Sequence, residues 1–502
     1  MKTERTEVDS LAELRRQATL AEYRFTSTAP LVGGLVARLR EAWNSVATKW
    51  QVRPLMEQQS EFNRTLVERL ARPPGDEASC ELLASQDRAL TGINRDVALL
   101  DARMRAMVAP RAGQRLKIAF FSPVPPARSG IADYTAELLP HLAELVDLTV
   151  FVDDPAAADL PGFAIRPARE FPGRRAGFDL PLYQMGNSAH HETIYEMALQ
   201  YPGVVVLHDY FIHHFIRHHT VGKGDWAGYG REMGYALGYD GRRLARDIRA
   251  GNAPYPLFDT PLNQRLIDAA AGVIVHSAYV AEKIRRYRPG VSMATIPHLV
   301  KMESGRNFRQ TLDIPDGAVI FGSFGQITSE KQIDVALAAF QKVHQQHPDT
   351  RYLLVGETRP DVDLDAILFD LGLRDCVIHV GYVDNFDDFT AWLRVPDVVV
   401  NLRYPTIGET SAVALRAMAA ARPVIVYDHG WYSELPGDAA LMVPPGDTAA
   451  LEGAMEALAQ SADLRQSMGQ AGYKYVREQC DPARAAQAYA EFLRATLEVA
   501  RA

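Results

Sequence analysis

The chain contains few cysteines and no long apolar run. Its three cysteines, Cys80, Cys376 and Cys480, are odd in number and far apart in 502 residues. This usage is typical of a reducing compartment and gives no indication of a zinc site. No stretch of about 18 apolar residues is present, so no membrane-spanning helix is predicted. The first nine residues are charged and lack an apolar core, which predicts that there is no signal peptide.

An excess of positive charge is also missing. Lys and Arg total 54 against 62 Asp and Glu, which gives a formal net charge of −8 and an isoelectric point near 6.0. Proteins that mainly bind nucleic acid usually carry a basic surface, so nucleic acid is not expected as a partner. We expect a cytoplasmic protein, and association with the inner face of the membrane stays open as an alternative.

Two common kinds of site motif are absent. The predicted strand Leu116–Phe121 leads through a loop containing Gly130 into a helix that ends at Leu142. This is the opening of a Rossmann-like unit, but the loop lacks the G-x-G-x-x-G fingerprint of dinucleotide binding. Histidines are dense between residues 190 and 214, yet there is no His-Glu-x-x-His pattern and no Asp-x-Asp at a strand end. We therefore expect neither a dinucleotide cofactor nor an essential metal.

The chain is too long for a single hydrophobic core. Short apolar strands alternate with helical stretches in two groups, which predicts two α/β domains with parallel sheets. We predict a helical extension at residues 1–112, Rossmann-like domains at 113–300 and 301–480, and a C-terminal helix at 481–502. Beyond Leu116–Phe121, the predicted strands are Leu148–Val152, Leu180–Met185, Val204–Leu207, Val273–Val275, Ala318–Ser323, Tyr352–Val355, Val377–Val380, Val398–Leu402 and Val424–Tyr427.

The N-terminal extension carries two amphipathic patterns. Apolar residues recur at steps of three or four between Val32 and Trp50, on a stretch with an excess of basic residues, and again from Leu90 to Met107. We favour packing of the first apolar face on the rest of the protein, because most amphipathic helices face a core. Contact with an anionic membrane surface and oligomerisation through residues 31–107 remain alternatives.

Polar residues follow two strands of the first predicted sheet. Asn187 and His191 come after one strand, and His208 and Asp209 come directly after the next. The carboxyl ends of parallel strands lie at one edge of a sheet, where ligands gather. These four side chains are therefore candidates for a ligand site.

The most informative stretch runs from Asn401 to Tyr427 and reads as strand, loop, helix and strand. Thr410 and Ser411 lie where the helix should begin, and both residue types are good N-caps. The unpaired amides and positive dipole of a helix N-terminus suit a phosphate, whereas the adjacent Glu409 is suited to sugar hydroxyls. An ordinary βαβ crossover with a polar cap is the alternative interpretation.

This stretch resembles the signature of family 4 retaining nucleotide-sugar glycosyltransferases, which have the GT-B fold. The resemblance rests on Leu-Arg-Ala-Met-Ala at 415–419, on Arg-Pro-Val-Ile at 422–425 and on Arg-Tyr-Pro-Thr-Ile-Gly-Glu-Thr-Ser at 403–411, the last typical of a bacterial subgroup. It implies an α/β fold of two Rossmann-like domains facing a cleft, with the last helix crossing back onto the first domain. It also implies transfer of a sugar from a nucleoside diphosphate to a hydroxyl group, with retention of configuration and without a metal.

The resemblance also assigns site residues, with two departures. Lys331 matches the family's diphosphate-binding lysine, but Gln326 replaces the arginine that accompanies it, and Arg416 replaces a ribose-binding glutamate. Arg403 and Arg416 are candidates to compensate for the lost charge. The resemblance implies that His208 and Glu409 are the catalytic residues, with His208 near the reacting carbon and Glu409 on the donor sugar. It places the diphosphate at the backbone of Thr410–Ser411 and the phosphate–acceptor junction at Gly130. The implied residues of the acceptor side are Asn187, His191 and Asp209.

Two other functions stay open. A nucleotide-sugar 2-epimerase shares this architecture but needs acid–base carboxylates, which the sequence does not identify. A non-catalytic scaffold with a degenerate donor site would account for Gln326 and Arg416. The transferase interpretation implies a nucleotide-sugar donor and a glycan or lipid-linked glycan acceptor, and its bacterial motif suggests polysaccharide or lipopolysaccharide assembly.

Overall fold

The computed structural model describes residues 77–108, 115–302, 306, 308–312, 314–315 and 317–498. The predicted helix around residues 32–50 lies outside this range. Two compact units can be distinguished: residues 77–93 with 230–253, and the other described residues. No helix in the described ranges is long and apolar enough to cross a lipid bilayer.

The smaller unit consists of parts of two helices. Helix α1 (Glu77–Val108) supplies its first half, and helix α6 (Trp226–Arg249) supplies the segment after Tyr229. Gly238 interrupts α6 with a φ of 63°, and the Glu81 carboxylate accepts a hydrogen bond from Tyr239 N at 2.7 Å at this break. The Gly- and Arg-rich region after Trp226 is thus largely helical.

The larger unit contains two fully parallel sheets. The first has seven strands in the order β3-β2-β1-β4-β5-β6-β7. Its strands are β1 (Lys117–Phe121), β2 (Asp147–Val152), β3 (Ile165–Pro167), β4 (Leu180–Met185), β5 (Val204–Leu207), β6 (Gly272–Val275) and β7 (Met293–Thr295). The second has six strands in the order β10-β9-β8-β11-β12-β13. They are β8 (Ile320–Phe324), β9 (Arg351–Val355), β10 (Val377–Gly381), β11 (Val398–Val400), β12 (Val424–Tyr427) and β13 (Ala440–Val443).

Helices join the strands, as a parallel connection requires. In the first domain they are α2 (Gly130–Leu142), α3 (Phe171–Arg174), α4 (Glu192–Gln200), α5 (His213–His219), α7 (Gln264–Ala269) and α8 (Ala278–Tyr287). In the second they are α9 (Ile333–Gln346), α10 (Leu364–Asp370), α11 (Phe386–Trp392), α12 (Ala412–Ala419), α13 (Thr448–Gln460) and α14 (Ala462–Gln479). The prediction of two Rossmann-like domains is confirmed.

The closing helix α15 (Pro482–Leu497) packs on the core of the first sheet. Ala486, Tyr489 and Ala490 are buried there, and the Tyr489 hydroxyl lies 2.7 Å from the Tyr134 hydroxyl on α2. The chain therefore returns to the first domain after completing the second.

Candidate functional site

A cavity of about 420 Å³ lies between the two Rossmann-like domains, at the carboxyl ends of their strands. We call it the cleft pocket. Most of the residues that the sequence predicted for the site line it: Gly130, Asn187, His191, His208, Asp209, Arg403, Glu409 and Thr410. The other lining residues are Arg128, Ser129, Ile131, Ser188, His298, Ile407 and Ala412. Segments far apart in the sequence are thus brought to one site.

Four predicted residues do not line the cleft pocket. Ser411 is the N-cap of α12, and its Oγ accepts hydrogen bonds from Ala414 N at 3.2 Å and from Asn401 Nδ2 at 2.9 Å. Gln326 lies in the turn after β8, and Lys331 donates a hydrogen bond to Phe324 O at the start of that turn. Arg416 is buried in an ion pair with Glu137.

Arg416 is therefore committed to a partner outside the pocket. Its Nη1 and Nη2 atoms lie 2.8 and 3.1 Å from the two carboxylate oxygens of Glu137 on α2. The Phe386 ring covers the guanidinium, with its centroid 4.6 Å from Cζ. Because the guanidinium is buried and bound to Glu137 through two hydrogen bonds, it cannot also contact a donor. Arg416 therefore does not compensate for the arginine that Gln326 replaces.

The loop before α12 is held by the Glu409 carboxylate. Oε1 lies 2.8 Å from Arg403 Nε, and Oε2 accepts hydrogen bonds from Thr406 Oγ1 and Ile407 N, both at 2.9 Å. Glu409 thus orients Arg403 and the loop backbone at the same time as it lines the pocket. The sequence prediction, which gave it only a sugar contact, missed this internal role.

The same loop approaches the first domain closely. Phe211 N donates a hydrogen bond to Ile407 O at 2.8 Å. Gly408 has a φ of +78°, and a Cβ atom at this position would lie 2.5 Å from Tyr210 Cβ. Only glycine satisfies both the backbone conformation and this close approach. Gly408 therefore lets the second-domain loop close one side of the cleft pocket.

His208 is held as a neutral imidazole. Its Nε2 atom donates a hydrogen bond to Gln184 Oε1 at 2.7 Å. Burial, followed by the neighbouring His276 and His298, lowers the pKa of His208 well below its usual value. The Tyr134 ring packs edge-on at 4.8 Å between centroids. With its proton on Nε2, the imidazole keeps Nδ1 as a hydrogen-bond acceptor.

Asp209 titrates near neutrality. Burial and the Glu409 carboxylate raise the pKa of Asp209 to about 7, against the opposing effects of Asn187 N and Arg403. Asn187 N donates to its Oδ2 at 2.8 Å. The Asn187 side chain is itself occupied, because Oδ1 accepts from Phe215 N at 2.9 Å and Nδ2 donates to His214 Nδ1 at 3.2 Å. Asn187 therefore orients Asp209.

His191 is also neutral. Its Nδ1 donates a hydrogen bond to Ser188 O at 3.1 Å, and burial lowers its pKa to about 4. Nε2 is buried without a hydrogen-bond partner. This ring therefore contributes an uncharged wall to the cleft pocket.

Burial and the charges of Arg403 and Glu409 shift the pKa of Lys331. Burial and the positive charge of Arg403 lower the pKa of Lys331 to about 7, although Glu409 opposes the change. Gly325 makes room for its ammonium group, because a Cβ there would lie 2.5 Å from Lys331 Nζ. Over the described ranges, no group of three or more His, Cys, Asp or Glu side chains has the geometry to hold a metal ion.

Sequence reasoning missed the residues that support the site. Gln184 offered one signal, because it is a polar residue inside the apolar strand Leu180–Met185. His276 and His298 follow strands β6 and β7, and both pack against the Tyr134 ring that also contacts His208. Glu137 is one acidic residue on an amphipathic helix, so nothing in its local sequence marks it as the partner of Arg416.

Comparison with known proteins finds similarity to glycosyltransferases, in sequence for part of the chain and in fold for both domains. The model of the family Glycosyl transferases group 1 matches residues 318–461, which make up most of the second domain. Alpha-D-kanosaminyltransferase from Streptomyces kanamyceticus is 26% identical over 149 residues, which are 29% of this chain and 38% of that protein. Alpha-monoglucosyldiacylglycerol synthase from Streptococcus pneumoniae is 24% identical over 178 residues, or 33% of this chain and 40% of that protein. These matches thus span well under half of each relative.

Solved structures extend the likeness to both domains. Sucrose-phosphate synthase from Thermosynechococcus elongatus superimposes with a TM-score of 0.55 at 19% identity, over 76% of this chain and 99% of that one. Alr3699/HepE from Anabaena, solved in complex with UDP-glucose, gives a TM-score of 0.53 at 15% identity, over 76% and 100% of the two chains. At such identities the likeness establishes the fold, and the predicted GT-B arrangement is confirmed.

Proposed function

We propose that the protein is a glycosyltransferase that moves a sugar from a nucleoside diphosphate to a hydroxyl acceptor with retention of configuration. One observation carries the proposal. The cleft pocket joins the loop at 403–410, which lies in the segment similar to group 1 glycosyl transferases, to His208 and Asp209 of the other domain. A donor held by the second domain would therefore present its sugar to groups of the first.

The second domain would hold the diphosphate. The first amides of α12 have no acceptor within the helix, and Ala412 at its start lines the pocket. Arg403 and Lys331 add positive charge, and Gln326 offers a hydrogen bond without charge. A diphosphate gains negative charge as its bond to the sugar breaks, so Arg403 and the protonated form of Lys331 would stabilise the transition state. The proposed donor contacts are thus Lys331, Arg403 and the backbone at Thr410–Ser411.

The first domain would supply the acceptor side. The neutral His208 can accept a hydrogen bond from a sugar hydroxyl through Nδ1. Asp209 is partly ionised at neutral pH, which suits a carboxyl group that accepts a hydrogen bond from the acceptor hydroxyl. In the reaction the acceptor oxygen bonds to the anomeric carbon on the same face from which the diphosphate departs, and the hydroxyl proton passes to the Asp209 carboxylate. No protein nucleophile and no metal enter this scheme.

A bacterial polysaccharide or lipopolysaccharide pathway in the cytoplasm is the setting we propose, with a glycan or lipid-linked glycan as acceptor. The structure adds one point on association through residues 31–107. Val97 and Met104, from the predicted apolar pattern between Leu90 and Met107, are 45% and 44% exposed on α1. Membrane contact and self-association through this segment remain predictions.

A nucleotide-sugar 2-epimerase is the second candidate. It is favoured by a pair of carboxylates, Asp209 and Glu409, that the fold brings to the same pocket. The contacts of Glu409 weaken this case, because a carboxylate held by Arg403 and by two hydrogen bonds is not free to move protons. We therefore rank the epimerase below the transferase.

The test is incubation with a panel of nucleotide sugars, followed by NMR of the products. A transferase releases the nucleoside diphosphate and forms an acceptor glycoside of unchanged anomeric configuration, whereas an epimerase returns an isomeric nucleotide sugar. Asp209→Asn should slow transfer by about 10²-fold or more, since general acid–base groups contribute that much. Asp428→Asn, at an exposed position that does not line the cleft pocket, is the matched control. An inverted product or a fully active Asp209→Asn would contradict the proposal.

A further inference from the structure

A second cavity of about 350 Å³ lies in the first domain, at the carboxyl ends of β1 and β2. We call it the apolar pocket. Phe121 and Phe151 form its floor and stack with 5.0 Å between ring centroids. Val124, Ala157 and Ile194 are among the side chains of its walls. None of these residues belongs to the cleft pocket.

The two pockets adjoin at two places along the chain. Ala127 lines the apolar pocket, and the next residue, Arg128, lines the cleft pocket. In the turn after β4, His190 lines the first and His191 the second. Consecutive Cα atoms are 3.8 Å apart, so the linings of the two pockets meet along the chain at both places. A single molecule could thus occupy the apolar pocket and reach the cleft pocket at either place.

The lining specifies the chemistry of a ligand. Hydrocarbon groups dominate it, and a pocket of this size and character is typical of small-molecule sites. The charged lining residues are Asp153 and Asp154, both exposed. Two carboxylates at one rim repel an anionic group, and they tolerate a neutral group or attract a cationic one.

We propose that the apolar pocket binds an apolar group of the acceptor, joined to a neutral or cationic head that places its hydroxyl in the cleft pocket. The assignment of this ligand as an acceptor rests on the proposed function. Binding of the apolar group depends only on the first domain. The rim aspartates disfavour an acceptor that carries phosphate or diphosphate next to its apolar part.

Calorimetric titration with octyl and methyl β-D-glucopyranoside, below the micelle concentration, tests the apolar preference in the full-length protein. The two probes share a head and differ only in the chain. We expect the octyl glycoside to bind at least tenfold more tightly. Ala157→Trp, which fills the pocket from an exposed lining position, should abolish the difference, and Ala156→Trp, its exposed neighbour outside the lining, should preserve it. Equal binding of both probes, or an unchanged preference in Ala157→Trp, would overturn the proposal.

Two further titrations complete the test. Octyltrimethylammonium and octyl sulfate share a chain and differ in the sign of their charge, and we expect the cation to bind more tightly. Tighter binding of the sulfate would contradict the role of Asp153 and Asp154. Nucleotide binding should be unchanged in Ala157→Trp, because no donor-side residue is altered. If wild-type protein bound the octyl glycoside but no nucleotide, the proposed function would fail and the apolar site would stand.

Discussion

Replacing Glu137 by alanine is expected to lower the free energy of unfolding by about 3–5 kcal/mol, the usual cost of leaving one partner of a buried ion pair alone. Glu137 and Arg416 have side chains that are each only 7% exposed, and two hydrogen bonds join them. Lys301 N also donates to Glu137 Oε2 at 3.4 Å. The substitution therefore strands a buried guanidinium between the two domains.

The neighbouring carboxyl group of Asp133 determines how much the free energy of unfolding falls within this range of about 3–5 kcal/mol. Burial raises the pKa of Asp133 to a net value of about 6. The positive charge of Arg416 opposes this shift, and the Glu137 carboxylate adds to it. Without Glu137, the Asp133 pKa should fall, and its ionised form would partly neutralise Arg416. The loss should thus lie near 3 kcal/mol in Glu137→Ala alone and near 5 kcal/mol when Asp133→Asn is added.

Urea denaturation followed by circular dichroism measures these changes. Replacing both partners, as Glu137→Leu with Arg416→Met, should recover most of the loss, because no unpaired charge remains. Glu282→Ala, which breaks the exposed pair with Arg286 on α8, is the matched control and should change stability by at most about 1 kcal/mol. A Glu137→Ala protein as stable as this control would show that the Glu137–Arg416 pair is not formed.

Replacing Lys331 by methionine is expected to lower the rate of sugar transfer by about 10²–10³-fold, the typical effect of removing one preorganised donor from a developing anion. Methionine keeps the length of the side chain and removes its charge. Lys342→Met, which removes an exposed ammonium group from the surface of α9, is the matched control. If both variants turned over donor at the wild-type rate, Lys331 would not be a diphosphate contact.

The same lysine predicts a pH dependence of donor binding. Because the pKa of Lys331 is about 7 in the free protein, its amine is largely neutral above that pH. An anionic diphosphate favours the charged form, so binding takes up a proton. Affinity should then fall as pH rises above 7, by up to about tenfold per pH unit. Calorimetry with a nucleotide sugar at pH 6.5, 7.5 and 8.5 checks this, and Lys331→Arg should remove the dependence. An affinity that rises with pH would contradict it.

Local patterns predicted the fold well. The bounds of β4, β5 and β12 agree with the sequence prediction. Strands β5 and β12 are unbroken apolar runs, and β4 is mainly apolar apart from Gln184. Ser411 caps α12 as its residue type suggested. Strands β3, β7 and β13 were missed. The first two have only three residues and are not fully buried, so their composition carries little signal.

The site was predictable in part for the same reason. Residues at strand ends, such as His208 and Asp209, are marked by their position next to an apolar run, and the structure brings them to one pocket with Glu409 and Thr410. Arg416 was assigned by motif position alone. Its partner Glu137 lies 279 residues earlier in the chain, a pairing that depends on how the two domains meet and that no local pattern encodes.

The central claim is that the cleft pocket binds the nucleotide of a sugar donor. Thermal unfolding with ADP, CDP, GDP, UDP and dTDP, each with and without a chelator, tests it most directly. We predict that one nucleotide raises the unfolding midpoint whether or not the chelator is present. The stabilisation should reach about 2.7 kcal/mol at a hundredfold excess over the dissociation constant. No shift with any of the five would contradict the account and favour a scaffold that has lost its donor site.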